Sequence, residues 1–415
     1  MPGMRQDQPL TTERAKPKGA VLIISICTTA YFLDGLLHTV MGPLAPSVAK
    51  ALSLSNSQLG PIFSANLIGQ MFGLILFPLA AARKGHRAVI VVSLFGFGSF
   101  QLLSGFAESG TQLFALRLLT GVFLGGALPS CLAMVTAAAP IERRGFIITT
   151  LFTGYGAGCA IAGLVSLLFV LGGWRAAMIL MGVVCLIVAV IAWRWLRDPP
   201  IVEADAVTET RAIRIAAQLI SRPYALGTVM LWVLFISMLT ISYCLNSWLP
   251  TLLVQVGRAP SLASMSVSIF GLGGILAALG IGALIDRFGP TRVLVSSLVL
   301  AALLILWIGQ VLATASVPLL MLLLVLAGFF GLGAYAGVNV VLASFYPNHL
   351  RALGIGLTKS IGRVGTIIAP VLIGFGLDAG MRQTTVISLF AAPALLAAGA
   401  ILMISAARRG KVDQA

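Results

Sequence analysis

The sequence predicts an all-α membrane protein of twelve spanning helices, arranged as two six-helix bundles related by a pseudo-twofold axis. One ground is composition: of 415 residues, 59% are hydrophobic and only 9% charged, against roughly 25% charged in a soluble domain. Soluble cores stop growing near ~250–300 residues, so lipid must solvate most of this chain. A second is the recurrence of apolar windows, at roughly 20–45, 57–81, 88–107, 112–138, 145–169, 174–196, 224–254, 260–285, 292–312, 317–344, 352–377 and 384–406. Each suits the ~20 residues that cross a bilayer core about 30 Å thick. The third is an internal repeat.

The repeat has a nearly fixed offset. Gly85, after the second window, and Gly289, after the eighth, stand 204 positions apart. Arg144 and Arg351 are 207 apart, as are Gly158 and Gly365. Six spans repeated in one orientation imply an axis along the membrane normal. The longest polar stretch, residues 197–223, divides the bundles at 20–196 and 224–407, with tails at 1–19 and 408–415. Within it, residues 208–220 have the pattern of an amphipathic surface helix.

Charge sets the orientation. There are 27 Lys and Arg against 12 Asp and Glu, a net +15. A strongly basic chain raises the question of nucleic acid, but here the cations sit in small clusters between apolar segments. With both termini in the cytoplasm, 20 of the 27 fall on the cytoplasmic side, 4 on the other, and 3 within spans. That bias follows the positive-inside rule and predicts a multi-pass protein of a cytoplasmic (inner) membrane, its partners lipid and a small solute. The polar N-terminus followed by an apolar run resembles a secretory signal. The run is too long for one and contains Asp34, so it reads as a retained span. Cys27, Cys131, Cys159, Cys185 and Cys244 all lie in apolar segments and read as packing residues.

Function is written in the charges at lipid depth, each costing ~2.5–3.5 kcal/mol at a helix centre on insertion scales. Asp34 is the sole carboxylate deep in a span. It lies about 22 Å into helix 1, and Arg117 about 8 Å into helix 4 from the opposite face, so the two depths coincide. An Asp34–Arg117 pair reads either as a proton switch, with Arg117 moving relative to the acid, or as a static ion pair. His38 shares a helix face with Asp34, four residues on, and suits a proton relay or a hydrogen-bonded packing role equally. Lys359 and Arg363 share a face of helix 11. Lys359 is close enough to the surface to snorkel; Arg363, about 17 Å in, is not. Three intramembrane cations face one acid, so Arg363 lacks a protein counter-ion. An anionic substrate would supply it, and a carboxylate fits the guanidinium fork bidentately.

Tyr243, Asn246 and Trp248 on helix 7, with Tyr335 and Asn339 on helix 10, lie at matching depth and can stack on and hydrogen-bond a planar ligand. Interhelical hydrogen bonds and an interfacial Trp account for each of them singly as well. Gly121, Gly125 and Gly126, and Gly154, Gly156 and Gly158, give close helix approach. Pro129 and Pro370 predict kinks. The sequence carries no Walker, HExxH or GxSxG pattern. No enzyme activity, metal or cofactor is therefore expected, the driving force being a proton gradient. A membrane receptor would call for a sizeable soluble signalling domain, for which the sequence offers no segment.

These motifs resemble the major facilitator superfamily across essentially the whole chain, and more narrowly its aromatic acid:proton symporter family. The run from Gly282 through Asp286, Arg287 and Gly289 to Arg292 is similar to the superfamily's loop motif. The run from Arg117 through Gly121, Gly125 and Gly126 to Pro129 resembles its helix 4 motif in the narrower family's wording. So do Ser247, Trp248, Pro250 and Thr251; Ser344 to Pro347; and Gly362, Arg363, Gly365 and Pro370. Asp34 and Gly35 match the start of an Asp-Gly-x-Asp motif. The resemblance implies a monomeric secondary transporter importing small aromatic carboxylates such as hydroxybenzoates with protons. It places Asp34 and Arg117 in proton coupling, Arg363 in substrate binding, and the loop residues Arg83, Arg87, Asp286, Arg287 and Arg292 in gating. Leu37 replaces the second Asp of the helix 1 motif, Ala82 the loop Asp and His86 a usual Arg, and Lys359 is additional. Export or exchange of another organic anion is the alternative these departures feed.

Overall fold

The computed structural model describes residues 17–140, 143–168, 173–197, 217–221 and 224–412. The helices are α1 (Pro17–Thr39), α2 (Met41–Leu52), α3 (Asn56–Lys84), α4 (His86–Ser104), α5 (Gly110–Ala138), α6 (Arg144–Leu168) and α7 (Gly173–Trp195) in the first half. The second half has α8 (Ala225–Gln255), α9 (Pro260–Phe288), α10 (Pro290–Val311), α11 (Val317–Phe345), α12 (Asn348–Asp378), α13 (Gln383–Leu389) and α14 (Ala391–Val412). Twelve helical stretches among the described residues are long and apolar enough to span a bilayer. The sequence windows meet these helices within four residues, except at the first and at the end of the twelfth, where the last helix runs on to Val412. At the first, one expected span is divided at Thr39 and Val40, and α2 carries the chain on to Leu52. Pro43 and Pro46, which cannot donate to a helix ladder, fall just beyond the division. The twelfth span divides likewise into α13 and α14, ahead of Pro393. At Pro129 and Pro370, α5 and α12 each continue as one helix. The expected surface helix at 208–220 lies mostly outside the described residues; residues 217–220 are helical, and Leu219 is fully buried in the second half's core.

Local chemistry explains the helix ends. Ser55 caps α3 through a capping box with Gln58, satisfying two orphan donors reciprocally, and the Ser109 side chain accepts from the Gln112 amide at the start of α5. Gly85 and Gly289, the pair seen as a sequence repeat, both turn the chain between helices at φ +82°, a region open to Gly at no steric cost.

The repeat is also a packing repeat. Within the halves, α3 packs on α5 as α9 packs on α11, and α1 packs on α6 as α8 packs on α12. A Cβ on Gly121 would run into the backbone oxygen of Asn66, and one on Gly328 into that of Phe270. A Cβ on Gly158 would strike the Phe32 carbonyl, and one on Gly365 the Thr240 side chain. Small residues at these positions let backbones meet. The outward faces stay apolar: Phe72, Ile75, Leu76 and Leu79 form an exposed stripe on α3 at helical spacing, turned to lipid.

Between the halves, α3 meets α12, α6 meets α9, and α2 meets α8. The α3–α12 contact is an antiparallel zipper. The Asp378 carboxylate accepts from the Asn56 amide nitrogen (3.2 Å), the Asn56 side chain (3.0 Å) and the Ser57 amide (2.9 Å). Further along, Gly60 lies against Pro370 and Val371, and the Ser64 hydroxyl donates to the Ile367 carbonyl at 2.6 Å.

Candidate transport site

The zipper's innermost bond lies at mid-membrane. Arg363 stands midway along the 31-residue α12. Its Nη1 donates to Oε1 of Gln70 on α3 at 2.7 Å. The cation left without a counter-ion by the sequence thus meets a neutral amide from the opposite half. Thr366 donates to the Arg363 carbonyl at 2.6 Å, and Tyr335 on α11 lies within electrostatic reach of the guanidinium. Lys359, one turn away, is exposed.

Asp34 is only 1% exposed, and neither carboxylate oxygen accepts a hydrogen bond. The expected Asp34–Arg117 pair does not form. Arg117 Nη1 donates to Oε1 of Gln101 on α4 at 2.9 Å, and Nη2 to the backbone carbonyl of Leu37 at 2.8 Å. Equal depth was the ground for pairing the two, but depth does not fix which way each helix is rotated. Arg117 reaches the carbonyl three residues past Asp34 and takes an amide as its side-chain partner. Arg363 is a cation within electrostatic reach of Asp34.

His38 sits between the rings of Tyr155 (6.0 Å) and Tyr243 (5.2 Å), and its Nδ1 has no hydrogen-bond partner. Tyr243 donates its hydroxyl to the Phe63 carbonyl at 2.6 Å, another bond across the halves. Trp248 is fully buried, its ring edge-on to Phe63 at 5.2 Å; it is an interior residue with an unpartnered Nε1. Asn246 and Asn339 both turn their amide nitrogens to their own helices, donating to Ser242 (2.7 Å) and Tyr335 (2.8 Å). In this conformation one of the two N–H donors of each is therefore engaged within its own helix.

The expected gating residues lie at the other end of the helices from the Asp378 clasp. Arg83, Asp286, Arg287 and Arg292 are exposed. Arg287 stacks 5.2 Å over the ring of its neighbour Phe288, and Arg87 donates to the Trp193 carbonyl within its own half at 2.6 Å.

Two bundles, each repeating the other's packing and joined by hydrogen bonds across their interface, define the architecture, and comparison with known proteins assigns it. The family model described as Major Facilitator Superfamily matches twice, over residues 27–259 and 231–414. The chain belongs to the Major Facilitator Superfamily. A 4-hydroxybenzoate transporter of Pseudomonas aeruginosa is 32% identical over 411 residues, covering 92% of this chain and 91% of that protein. A 3-(3-hydroxy-phenyl)propionate transporter of Escherichia coli is 31% identical over 397 residues, covering 95% and 96%. Among solved structures, a D-xylose-proton symporter shares the fold with a TM-score of 0.74 at 17% identity, covering 92% of this chain and 97% of that one.

Sequence reasoning in terms of formal charge passed over the amides. Gln70, midway along α3, and Gln101, in the last turn of α4, are buried, and each supplies an acceptor for one intramembrane arginine. Their signal was present: a long polar amide in an apolar window needs a partner, and both windows carry one. Asn66, one turn before Gln70, is buried with both side-chain polar atoms unpartnered.

Proposed function

We propose that this protein imports small aromatic carboxylates, of the hydroxybenzoate kind, together with protons. In this reading it works as a monomer in the cytoplasmic membrane with both termini inside. One observation supports the reading most. Arg363, at mid-membrane on the interface of the halves, is hydrogen-bonded to a neutral glutamine. A half-buried guanidinium at mid-helix without an anion is costly, and a carboxylate would complete it with two parallel bonds. The names of the curated relatives supply the substrate class. Tyr335 supplies an aromatic ring within electrostatic reach of Arg363. The Arg363–Gln70 contact lies between halves of a single chain, so one copy suffices.

Asp34 is the group suited to the proton. It is buried, unpaired and in reach of Arg363, so a carboxylate on the cation and a proton on the acid form a charge-balanced cargo. His38, between two tyrosines, suits the path to it. With the cation-rich loops placed in the cytoplasm, the Asp378 clasp closes the outer end and the conformation faces inward. Arg83, Arg87, Asp286, Arg287 and Arg292 then stand at the open end, where a gate is needed. Anion exchange without net proton movement is favoured by one feature: Leu37 stands where a second acid would, and its carbonyl serves Arg117.

Uptake into proteoliposomes tests both. Benzoates, phenylpropanoates and aliphatic acids are offered with and without an imposed pH gradient. Accumulation of 4-hydroxybenzoate driven by an acidic exterior is the expected result. Accumulation driven only by a trapped internal anion, indifferent to the pH gradient, would move the assignment to exchange.

A further inference from the structure

We propose that Gln70 occupies the anion-binding face of Arg363 in the empty carrier and is displaced from it by the arriving carboxylate, which makes Gln70 a residue that sets affinity and selectivity for charge. The inference rests on the reading of Arg363 as the anion-binding cation and adds the group that competes for it.

The geometry carries it. Oε1 of Gln70 lies 2.7 Å from Nη1 of Arg363, the position that one oxygen of a bidentate carboxylate takes. Gln70 is 4% exposed, so water does not readily take over the bond. Its backbone is fixed: Gly121 and Gly125 of α5 press against the carbonyls of Asn66 and Gln70, leaving the side chain as the mobile part. The bond is also the innermost link described along the α3–α12 zipper, after Asp378 with Asn56, Gly60 with Pro370, and Ser64 with Ile367. A neutral amide is the right strength for the task. It gives the half-buried cation of the empty carrier one acceptor, whereas a carboxylate brings an opposite charge and two parallel bonds to the same fork, so a carboxylate outcompetes it. A glutamate at this place would not yield.

The test uses the purified full chain and two probes of nearly identical shape, 4-hydroxybenzoate and the neutral 4-hydroxybenzamide, with affinities read by calorimetry and folding by thermal melting. Gln70→Glu keeps the shape and adds a permanent anion. The expected result is loss of acid binding by about a hundredfold, as expected for competition at a buried charge pair, with the amide little changed. The acid-to-amide ratio then collapses, which a merely structural role would not produce. Gln70→Met keeps the volume and removes the acceptor; acid affinity is expected to rise about three- to tenfold, the worth of one net hydrogen bond. If Gln70→Glu binds the acid as the parent does, or Gln70→Met binds it no more tightly, the proposal is overturned. Should Gln70→Glu not fold, Gln70→Met decides alone. Arg363→Ala separates the two levels. Acid binding that survives it removes the anion-site reading altogether, whereas loss in Arg363→Ala with parental binding in Gln70→Glu removes only the role of Gln70.

Discussion

The same two helices, α3 and α12, are joined across the halves at both ends of one zipper, by opposite chemistry. At the rim the charge is an anion: Asp378 on the last residue of α12 accepts from the first two residues of α3. At the centre the charge is a cation, and Arg363 donates to Gln70. The rim link is exposed, and Gln255 and Gln383 extend it as a chain of amides, with Gln255 donating to Asn56 at 2.7 Å. Water can replace each of its bonds, and an anion at a helix N-terminus contributes only ~0.3–1 kcal/mol. The central link is half-buried, its amide only 4% exposed, so water reaches it far less readily and a ligand is the better replacement for the partner that leaves. A carrier needs both kinds. The rim must open without a large barrier, while the centre must change state only when cargo arrives.

That contrast orders the expected effects of mutation. The largest belongs to the centre: Arg363→Ala should weaken 4-hydroxybenzoate binding by about a hundredfold or more, the usual cost of removing one partner of a buried charge pair, with thermal melting unchanged. Calorimetric affinity near the parent's would erase the distinction between the two links. Next comes the acid that neither link uses. Asp34→Asn should stop uphill uptake in a pH gradient yet leave counterflow exchange running; identical pH dependence in mutant and parent uptake assays would take Asp34 out of the coupling. Between centre and rim, Gly60→Leu inserts a side chain where a Cβ already meets the Pro370 carbonyl at 2.6 Å. Overpacking of this kind costs about 1–3 kcal/mol, so uptake should fall by about tenfold or more while the protein still inserts; parental rates would mean the zipper need not close. The smallest effect is expected at the rim. Asp378→Ala should change transport by about two- to fivefold, in keeping with an exposed helix-end charge, and the difference should shrink as salt is raised in the assay.

Much of this was legible beforehand. Ten of the twelve windows met their helices closely because hydropathy is a local property, summed residue by residue along a segment. The 204–207 repeat was visible because glycines must recur where backbones touch, as Gly121 and Gly328 do. Helix 1 was misjudged at its end: Val40 to Leu52 is apolar enough to extend a span, and the division at Thr39 leaves little mark on a hydropathy average. In the site, the sequence picked out Asp34, Arg117 and Arg363 by the cost of burying charge, but paired the first two wrongly and overlooked the amides.

By itself, then, the sequence determined how many times the chain crosses the bilayer, which loops are rich in cations, and that a lone guanidinium sits at mid-depth, since each follows from transfer free energies of single residues. Tertiary structure alone decided partners: Leu37 and Gln101 for Arg117, Gln70 for Arg363, none for Asp34. Rotation about each helix axis makes that choice, and it is set by glycine contacts and zippers between segments up to about 300 positions apart, a separation over which no local pattern carries information.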